Sequence, residues 1–176
     1  MLYRIDIFQI IKDHFGTLRR LDQKTKIMSI GDTFLFLIVP ITFATTLTIW
    51  KIDLRSQVNN LIAATAIFGG FLFNLLAIIY GQMEALRNDA TREQNELKKR
   101  LIKEVHINIS FNIVVSLFTV AVLLIYSTDF KSSSDLSTIA YCSLSWLSWF
   151  LVALFSLTLL MVLNRVYLLL KKDSEF

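Results

Sequence analysis

Hydrophobic residues in this chain are gathered into four long runs that contain no charged residue. The runs cover residues 33–50, 61–80, 107–126 and 139–163. A helix of about 20 apolar residues, rising 1.5 Å per residue, crosses the ~30 Å hydrocarbon core of a bilayer. The pattern therefore predicts an all-α, polytopic membrane protein with four transmembrane helices, built as one domain over residues 1–176.

The first polar segment has a different periodicity. Over residues 3–21, placed at 100° per residue, apolar and charged positions separate onto opposite sides. The apolar side holds Tyr3, Ile7, Phe8, Ile10, Ile11, Phe15, Leu18 and Leu21, with His14 at its edge. This predicts an amphipathic helix that is too charged to span. It lies either in the membrane interface or against the segment 81–106.

The charged stretch between the second and third runs is predicted to be a cytoplasmic helical hairpin over residues 81–106. Asn88-Asp89 offers a break, and Thr91-x-x-Gln94 fits a capping box that starts a second helix. The candidate partner-docking residues on this second helix are Leu97, Lys98, Lys99, Arg100 and Leu101. The alternative is a connector in which both leucines pack against the extension of the second span.

Small residues in the second span fall within about 80° of one another on a helical wheel. They are Ala63, Ala66, Gly70, Ala77 and Gly81, and Asn74 lies among them. A small-x-x-x-small face lets a second helix approach closely, and an amide in lipid needs a hydrogen-bond partner. We therefore expect these six residues to form a helix-packing face, with an ion or water path as the alternative.

Polar residues also recur along the third span. Asn108, Asn112, Ser116 and Thr119 follow at spacings of four, four and three and form one stripe. We expect Asn108 and Asn112 to pack against another helix, although such stripes also line pores. In the first span, Pro40 is expected to kink the helix, with Thr42, Thr45 and Thr46 binding the freed backbone groups.

Basic residues are distributed unequally between the two sides of the predicted bundle. Fifteen of the 18 Lys and Arg residues precede the first span or lie in 81–106 and the tail, and three lie in the other two loops. The positive-inside rule then predicts cytoplasmic termini. No cleavable signal peptide is predicted, because the first 32 residues lack an apolar core next to a small-residue cleavage site.

The sequence carries no recognisable catalytic or metal-binding motif. Cys142 is its single cysteine, and His14 and His106 lack ligand spacing. The spans contain no charged residue of the kind that ion-coupled carriers use. We expect no enzyme activity, no cofactor and no metal site.

With its four spans, amphipathic lead-in helix and charged segment 81–106, the chain resembles the KwaA family. These are the membrane subunits of Kiwa, a two-component bacterial anti-phage system. The resemblance covers most of the chain and is one of size and layout. It implies a homo-oligomer, a tetramer, in the bacterial inner membrane that senses phage infection.

The same resemblance implies recruitment of a cytosolic, DNA-binding effector of the KwaB type, with no direct nucleic-acid contact by this chain. Two other functions fit the layout. One is a small four-helix defence effector that forms a pore, and the other is an accessory subunit of a larger membrane complex.

Overall fold

The computed structural model describes residues 6–18, 30–52, 54–88, 96–128 and 135–174, and all regular structure within these ranges is helical. Five α-helices follow one another, with a short 3₁₀ turn at Arg55–Gln57 between the second and third. They are α1 (Ile7–Thr17), α2 (Ile30–Ile49), α3 (Val58–Asn88), α4 (Glu96–Ser127) and α5 (Asp135–Ser174). The all-α prediction is confirmed.

Three of these helices, α3, α4 and α5, are long and apolar enough to cross a membrane. The apolar part of α2 is shorter and covers Phe34–Ile49. At 1.5 Å per residue, the 32 residues of α4 extend for about 48 Å, well beyond a ~30 Å hydrocarbon core. Each long helix therefore has an apolar central part and polar ends.

The helix α4 lies at the centre of the fold. It packs against α1, α3 and α5, while α2 packs against α5. The main core forms where α4 meets α3 and α5, and its fully buried members on α4 include Ile102, Val105 and Ile109. Burial of each such side chain stabilises the fold by about 1.5–3 kcal/mol in water. This stabilisation is largest at the helix ends outside a bilayer, because lipid is as apolar as the side chains themselves.

At the end of the bundle where α4 finishes and α5 begins, a smaller cluster holds the helices together. Leu54, Val58, Leu123 and Tyr126 are buried there. The Tyr126 and Tyr141 hydroxyls hydrogen-bond to each other, and Arg55 Nε donates to the Tyr141 hydroxyl at 3.0 Å. Aromatic and cation contacts thus close this end.

The first predicted span corresponds to α2, which runs without interruption through Pro40. The threonine hydroxyls donate to carbonyls one turn back, Thr42 to Ile38 at 2.9 Å and Thr45 to Ile41 at 2.7 Å. The carbonyl that Pro40 leaves free is that of Phe36, four residues earlier, so these bonds differ from those expected. α2 ends in a Schellman motif, with Lys51 at φ 51° and its N–H donating to the Thr48 carbonyl.

The polar segments are described in part. α1 covers residues 7–17, and residues 3–5 and 19–21 of the predicted amphipathic helix lie outside the described residues. α3 continues as one helix from the second apolar run to Asn88, and α4 is already helical at Glu96. The predicted break at Asp89 and the capping box at Thr91 and Gln94 lie outside the described residues.

Candidate functional site

The N-terminal helix α1 is seated on α4 rather than standing apart from the bundle. Its first turn is capped by Asp6, whose carboxylate accepts from the backbone N–H of Gln9 at 3.0 Å. His14 and Thr17 are the buried residues of α1, whereas the ring of Phe8 is 85% exposed. The helix therefore presents polar side chains to the bundle and leaves a large aromatic side chain outside it.

His14 is 1% exposed and is held on two sides. Its Nδ1 donates to Asn108 Oδ1 at 2.9 Å, and its ring stacks on Phe111 with the ring centroids 3.7 Å apart. Burial lowers the pKa of His14 from 6.5 to about 4; the hydrogen bond to Asn108 opposes this shift, and the charge on Arg165 adds to it. His14 is therefore neutral at pH 7, as a histidine in an apolar packing site must be.

Arg165, 9% exposed, joins three helices. Its Nη1 forms a salt bridge with Glu104 of α4, and its Nη2 donates to the Thr17 carbonyl at 2.9 Å. Thr17 is the last residue of α1, so the guanidinium satisfies a carbonyl at the negative end of that helix. Arg100 contributes a second cation, with its Nε 3.2 Å from Glu104 Oε1.

We call His14, Thr17, Glu104, Asn108 and Arg165 the polar clamp. The Thr17 hydroxyl completes it, lying 2.8 Å from Asn108 Oδ1 and 2.7 Å from the His14 carbonyl oxygen, with one proton for either acceptor. All five residues are buried, and they come from α1, α4 and α5. The clamp therefore fixes α1 across the ends of two long helices.

In chemical terms the clamp is a binding and positioning arrangement. Its groups are an ion pair, a neutral imidazole, an amide and a hydroxyl, and each bonds to another member. Within the described ranges there is no group of three or more His, Cys, Asp or Glu side chains that could hold a metal ion. The arrangement is suited to holding α1 in place.

The predicted polar stripe of α4 lies in the interior. Asn108, Asn112, Ser116 and Thr119 are all buried. Ser116 and Thr119 donate to carbonyls of their own helix, at 2.7 and 2.8 Å. Asn108 Nδ2 and both polar side-chain atoms of Asn112 have no hydrogen-bond partner among the described residues. Such groups are costly in an apolar interior.

The small-residue face of α3 points the other way. Ala63, Ala66, Gly70, Asn74, Ala77 and Gly81 are all exposed. A Cβ added at Gly70 or Gly81 would meet nothing within 4 Å in the described part of the chain, whereas at Gly69 it would lie 3.0 Å from Ser116 Oγ. The contact of α3 with α4 passes through Thr65, Gly69, Leu72 and Ile79. This contact surface was not identified from the sequence.

The candidate docking residues at the start of α4 are separated by their exposure. Lys99 and Arg100 are exposed and Lys98 is half-buried. Leu101 is 5% exposed and belongs to the core against which Leu86 of α3 packs. For Leu101, this is the packing that the connector alternative predicts. The side chain of Leu97 lies outside the described residues.

The sequence analysis missed the clamp. Glu104 and Arg165 are 61 residues apart, and each stands at the polar margin of an apolar run, where a charged residue is ordinary. One signal was available. Antiparallel neighbours bring the start of the third run beside the end of the fourth, so opposite charges at those two margins can meet.

Together the fold and the clamp define a small all-helical protein with three membrane-crossing-length helices and a docked N-terminal helix. No protein-family model, curated protein or solved structure matches this chain.

Proposed function

We propose that the chain is a four-span protein of the bacterial inner membrane, with α2 as the fourth span and both termini in the cytoplasm. The apolar length of α2 and the excess of basic residues on one side support this topology. In this orientation α1, the clamp, the end of α3 and the start of α4 all lie at the cytoplasmic surface.

Within this topology, the chain is the membrane-embedded sensor and scaffold subunit of an anti-phage defence complex. It recruits a cytosolic DNA-binding effector of the KwaB type. The observation that carries the proposal is the basic face of α4, formed by Lys99, Arg100 and Lys103, all exposed. Positions 99 and 103 lie on the side of α4 opposite the buried positions 101, 105 and 108, and Arg100 lies between the two sides, next to Glu104.

The clamp makes this basic face a rigid platform. Glu104 binds Arg165 on α5 from the buried side of the same helical turns. A helix held in this way presents its charges at fixed positions, which supports steering and orientation of an acidic partner surface. The energy of binding would come from apolar contacts that surround these charges.

The scaffold is a homo-oligomer that assembles through the small-residue face of α3, and the resemblance to the KwaA family suggests a tetramer. Asn74 is exposed in the middle of this face and makes no hydrogen bond to any described residue. An unpaired amide facing hydrocarbon costs several kcal/mol, and the same face of a second copy would supply a partner. Symmetric, closed assembly is the usual result of such self-contact.

The burial of Asn108, Asn112, Ser116 and Thr119 favours the scaffold over a pore-forming effector, because these side chains occupy the interior of one bundle. A pore lined by them would need α4 to separate from its neighbours. The clamp, which ties α4 to α5 and α1, opposes that separation.

The test is co-capture from cells that also express a cytosolic DNA-binding protein of the KwaB type. Wild-type chain in mild detergent should retain that protein, and the pair should lower phage plaque numbers where neither protein alone does. Lys99→Glu with Lys103→Glu should reduce capture. In the wild type, capture should weaken when NaCl rises from about 0.1 M to about 1 M and the Debye length falls from ~10 to ~3 Å.

The matched control reverses the same number of charges in the two opposite loops, with Lys51→Glu and Lys131→Glu. Both double variants should reach the membrane in equal amounts. Equal capture by the two would refute the basic face as the docking platform. Dye leakage on expression of the chain alone would support the pore-forming alternative.

A further inference from the structure

Beneath α1 the bundle contains a cavity of about 260 Å³. It lies among α1, α2, α4 and α5, and His14 is the one polar residue among the 12 that line it. Its aromatic walls come from all four helices and include Phe15, Phe36, Phe111, Phe118 and Phe150. The cavity is partly open to the outside of the bundle.

The packing of the helices explains why this space exists. α1 rests on α4, and α2 rests on α5, so the two peripheral helices stand on different partners. Phe36 of α2 approaches α1 only edge-on, with its ring centroid 6.3 Å from that of His14. Between these contacts the cavity extends along α4 from Phe111 to Phe118, which is about 10 Å at 1.5 Å per residue.

Water is a poor occupant of this space. A buried water needs two to four polar partners, and an apolar cavity of about 150 Å³ stays dry and takes up benzene instead. The single polar lining residue, His14, already donates from Nδ1 to Asn108 and stacks its ring on Phe111. The occupant that fits is therefore a hydrocarbon.

We propose that the cavity is a binding site for one acyl chain of a membrane phospholipid. The proposal rests on the membrane topology given above, in which the cavity lies within the hydrocarbon layer, directly below α1 at the cytoplasmic surface. Lys12 is exposed and follows the lining residue Ile11 on α1, so α1 carries a cation beside a wall of the cavity that can meet a lipid phosphate. The acyl chain enters the cavity from the cytoplasmic leaflet, and α1 lies over the acyl chain.

The experiment uses full-length protein in vesicles of phosphatidylcholine and phosphatidylglycerol that contain a phosphatidylcholine with a diazirine in mid-chain. The protein is extracted into detergent, washed and then irradiated, and the labelled residues are mapped by mass spectrometry. Lipid that only surrounds the protein is washed away. Label should remain at Val115 and Leu151 of the cavity and disappear from Leu117, which is 63% exposed on the outer side of α4.

Two variants fill the space, Val114→Trp on α4 and Leu151→Trp on α5. Each should lower the retained label about tenfold, the effect of excluding roughly two methylene groups from an apolar site. Leu117→Trp is the matched control and should retain the label. Thermal unfolding in detergent identifies any variant that has not folded.

The proposal would be overturned if the retained label were spread equally over Leu117 and the cavity residues. It would also be overturned if the amount of retained label were unchanged in both Val114→Trp and Leu151→Trp. Crosslinks from the cavity to a second copy of the chain in place of lipid would overturn it as well. The measurement is independent of effector capture. Loss of capture with retained label would refute the scaffold function and leave the lipid site standing.

Discussion

Two helix faces of this chain carry the same kind of pattern and have opposite environments. On α4, Asn108 and Asn112 stand on a polar stripe that is wholly buried. On α3, Asn74 stands among small residues on a face that is wholly exposed. Both faces place an amide at a helix position that lipid would not tolerate unpaired.

The comparison shows that polar periodicity in a membrane-type helix marks a contact without saying which chain supplies the partner. For Asn108 of α4 the partners are in the same molecule, because the clamp joins it to α1, whereas the Asn112 side chain has no hydrogen-bond partner among the described residues. For Asn74 of α3 the described residues supply no partner, and we propose that a second copy does. Mutations on the first face should therefore act on folding, and mutations on the second should act on assembly.

The largest effect is expected at Glu104. Glu104→Ala leaves Arg165 buried beside α1 without its counter-charge and should lower the free energy of unfolding by about 3–5 kcal/mol. Denaturant titration in mild detergent measures this loss. Glu84→Ala, at an exposed position near the end of α3, is the control and should change stability by less than about 0.5 kcal/mol.

Replacing both clamp charges separates charge burial from packing. Glu104→Met with Arg165→Met should restore most of the lost stability, because apolar residues of similar volume replace a buried ion pair at little cost. A double variant as unstable as Glu104→Ala would mean that the bond from Arg165 to the Thr17 carbonyl, not the ion pair, holds the clamp together.

Sequence periodicity was enough to predict the helical class and the polar stripe of α4, because the apolar and the polar residues each recur every three to four positions. It was not enough to predict how α1 docks. An amphipathic pattern sends Phe8 inward and leaves His14 at the edge, whereas the structure exposes Phe8 and buries His14. The reason lies in partners 94 and 148 residues away, Asn108 for His14 and Arg165 for Thr17.

The choice of contact face on α3 was equally out of reach. Gly69 and Gly70 are adjacent, and only the second belongs to the small-x-x-x-small set that the sequence singles out. The structure uses the first to approach Ser116. A helical wheel ranks faces by composition, but the direction of the neighbouring helix is set by the fit of large side chains such as Leu72 and Ile79.

A second, intermediate effect concerns pH. The unfolded chain binds a proton at His14 below about pH 6.5, whereas the folded chain does so only below about pH 4. Stability should therefore fall as the pH drops from about 6.5 to about 4, by up to about 3 kcal/mol in total. In the clamp, His14 faces Asn108 and Arg165. Neither side chain carries a negative charge, so neither stabilises a His14 imidazolium as Glu104 stabilises the Arg165 guanidinium.

Denaturant titrations in detergent at several pH values measure this slope. His14→Phe keeps an aromatic ring against Phe111 and removes the titrating group, so the slope should flatten. His106→Gln is the matched control. If the slope persisted in His14→Phe, the acid sensitivity would come from a group outside the clamp.

The smallest effect on stability, and the most direct test of the two faces, comes from the adjacent glycines of α3. Gly69→Leu pushes against Ser116, whose hydroxyl is already bound to the Ile113 carbonyl at 2.7 Å, and should cost about 1–3 kcal/mol. A Cβ added at Gly70 meets nothing within 4 Å among the described residues, so Gly70→Leu should leave unfolding unchanged. The gain in helix propensity is common to both variants, so it cancels in the comparison.

The same pair should behave differently in assembly. If two copies meet at the small-residue face, as we propose, Gly70→Leu forces their backbones apart, and light scattering after size exclusion should report a smaller species in detergent. Phe71→Leu, at an exposed position one residue further on, is the control and should keep the oligomer. If Gly70→Leu assembled as well as Phe71→Leu, the exposed face of α3 would meet lipid, and Asn74 would need a partner other than a second copy. If Gly69→Leu alone reduced assembly without lowering stability, the inward and outward assignments of the two glycines would be reversed.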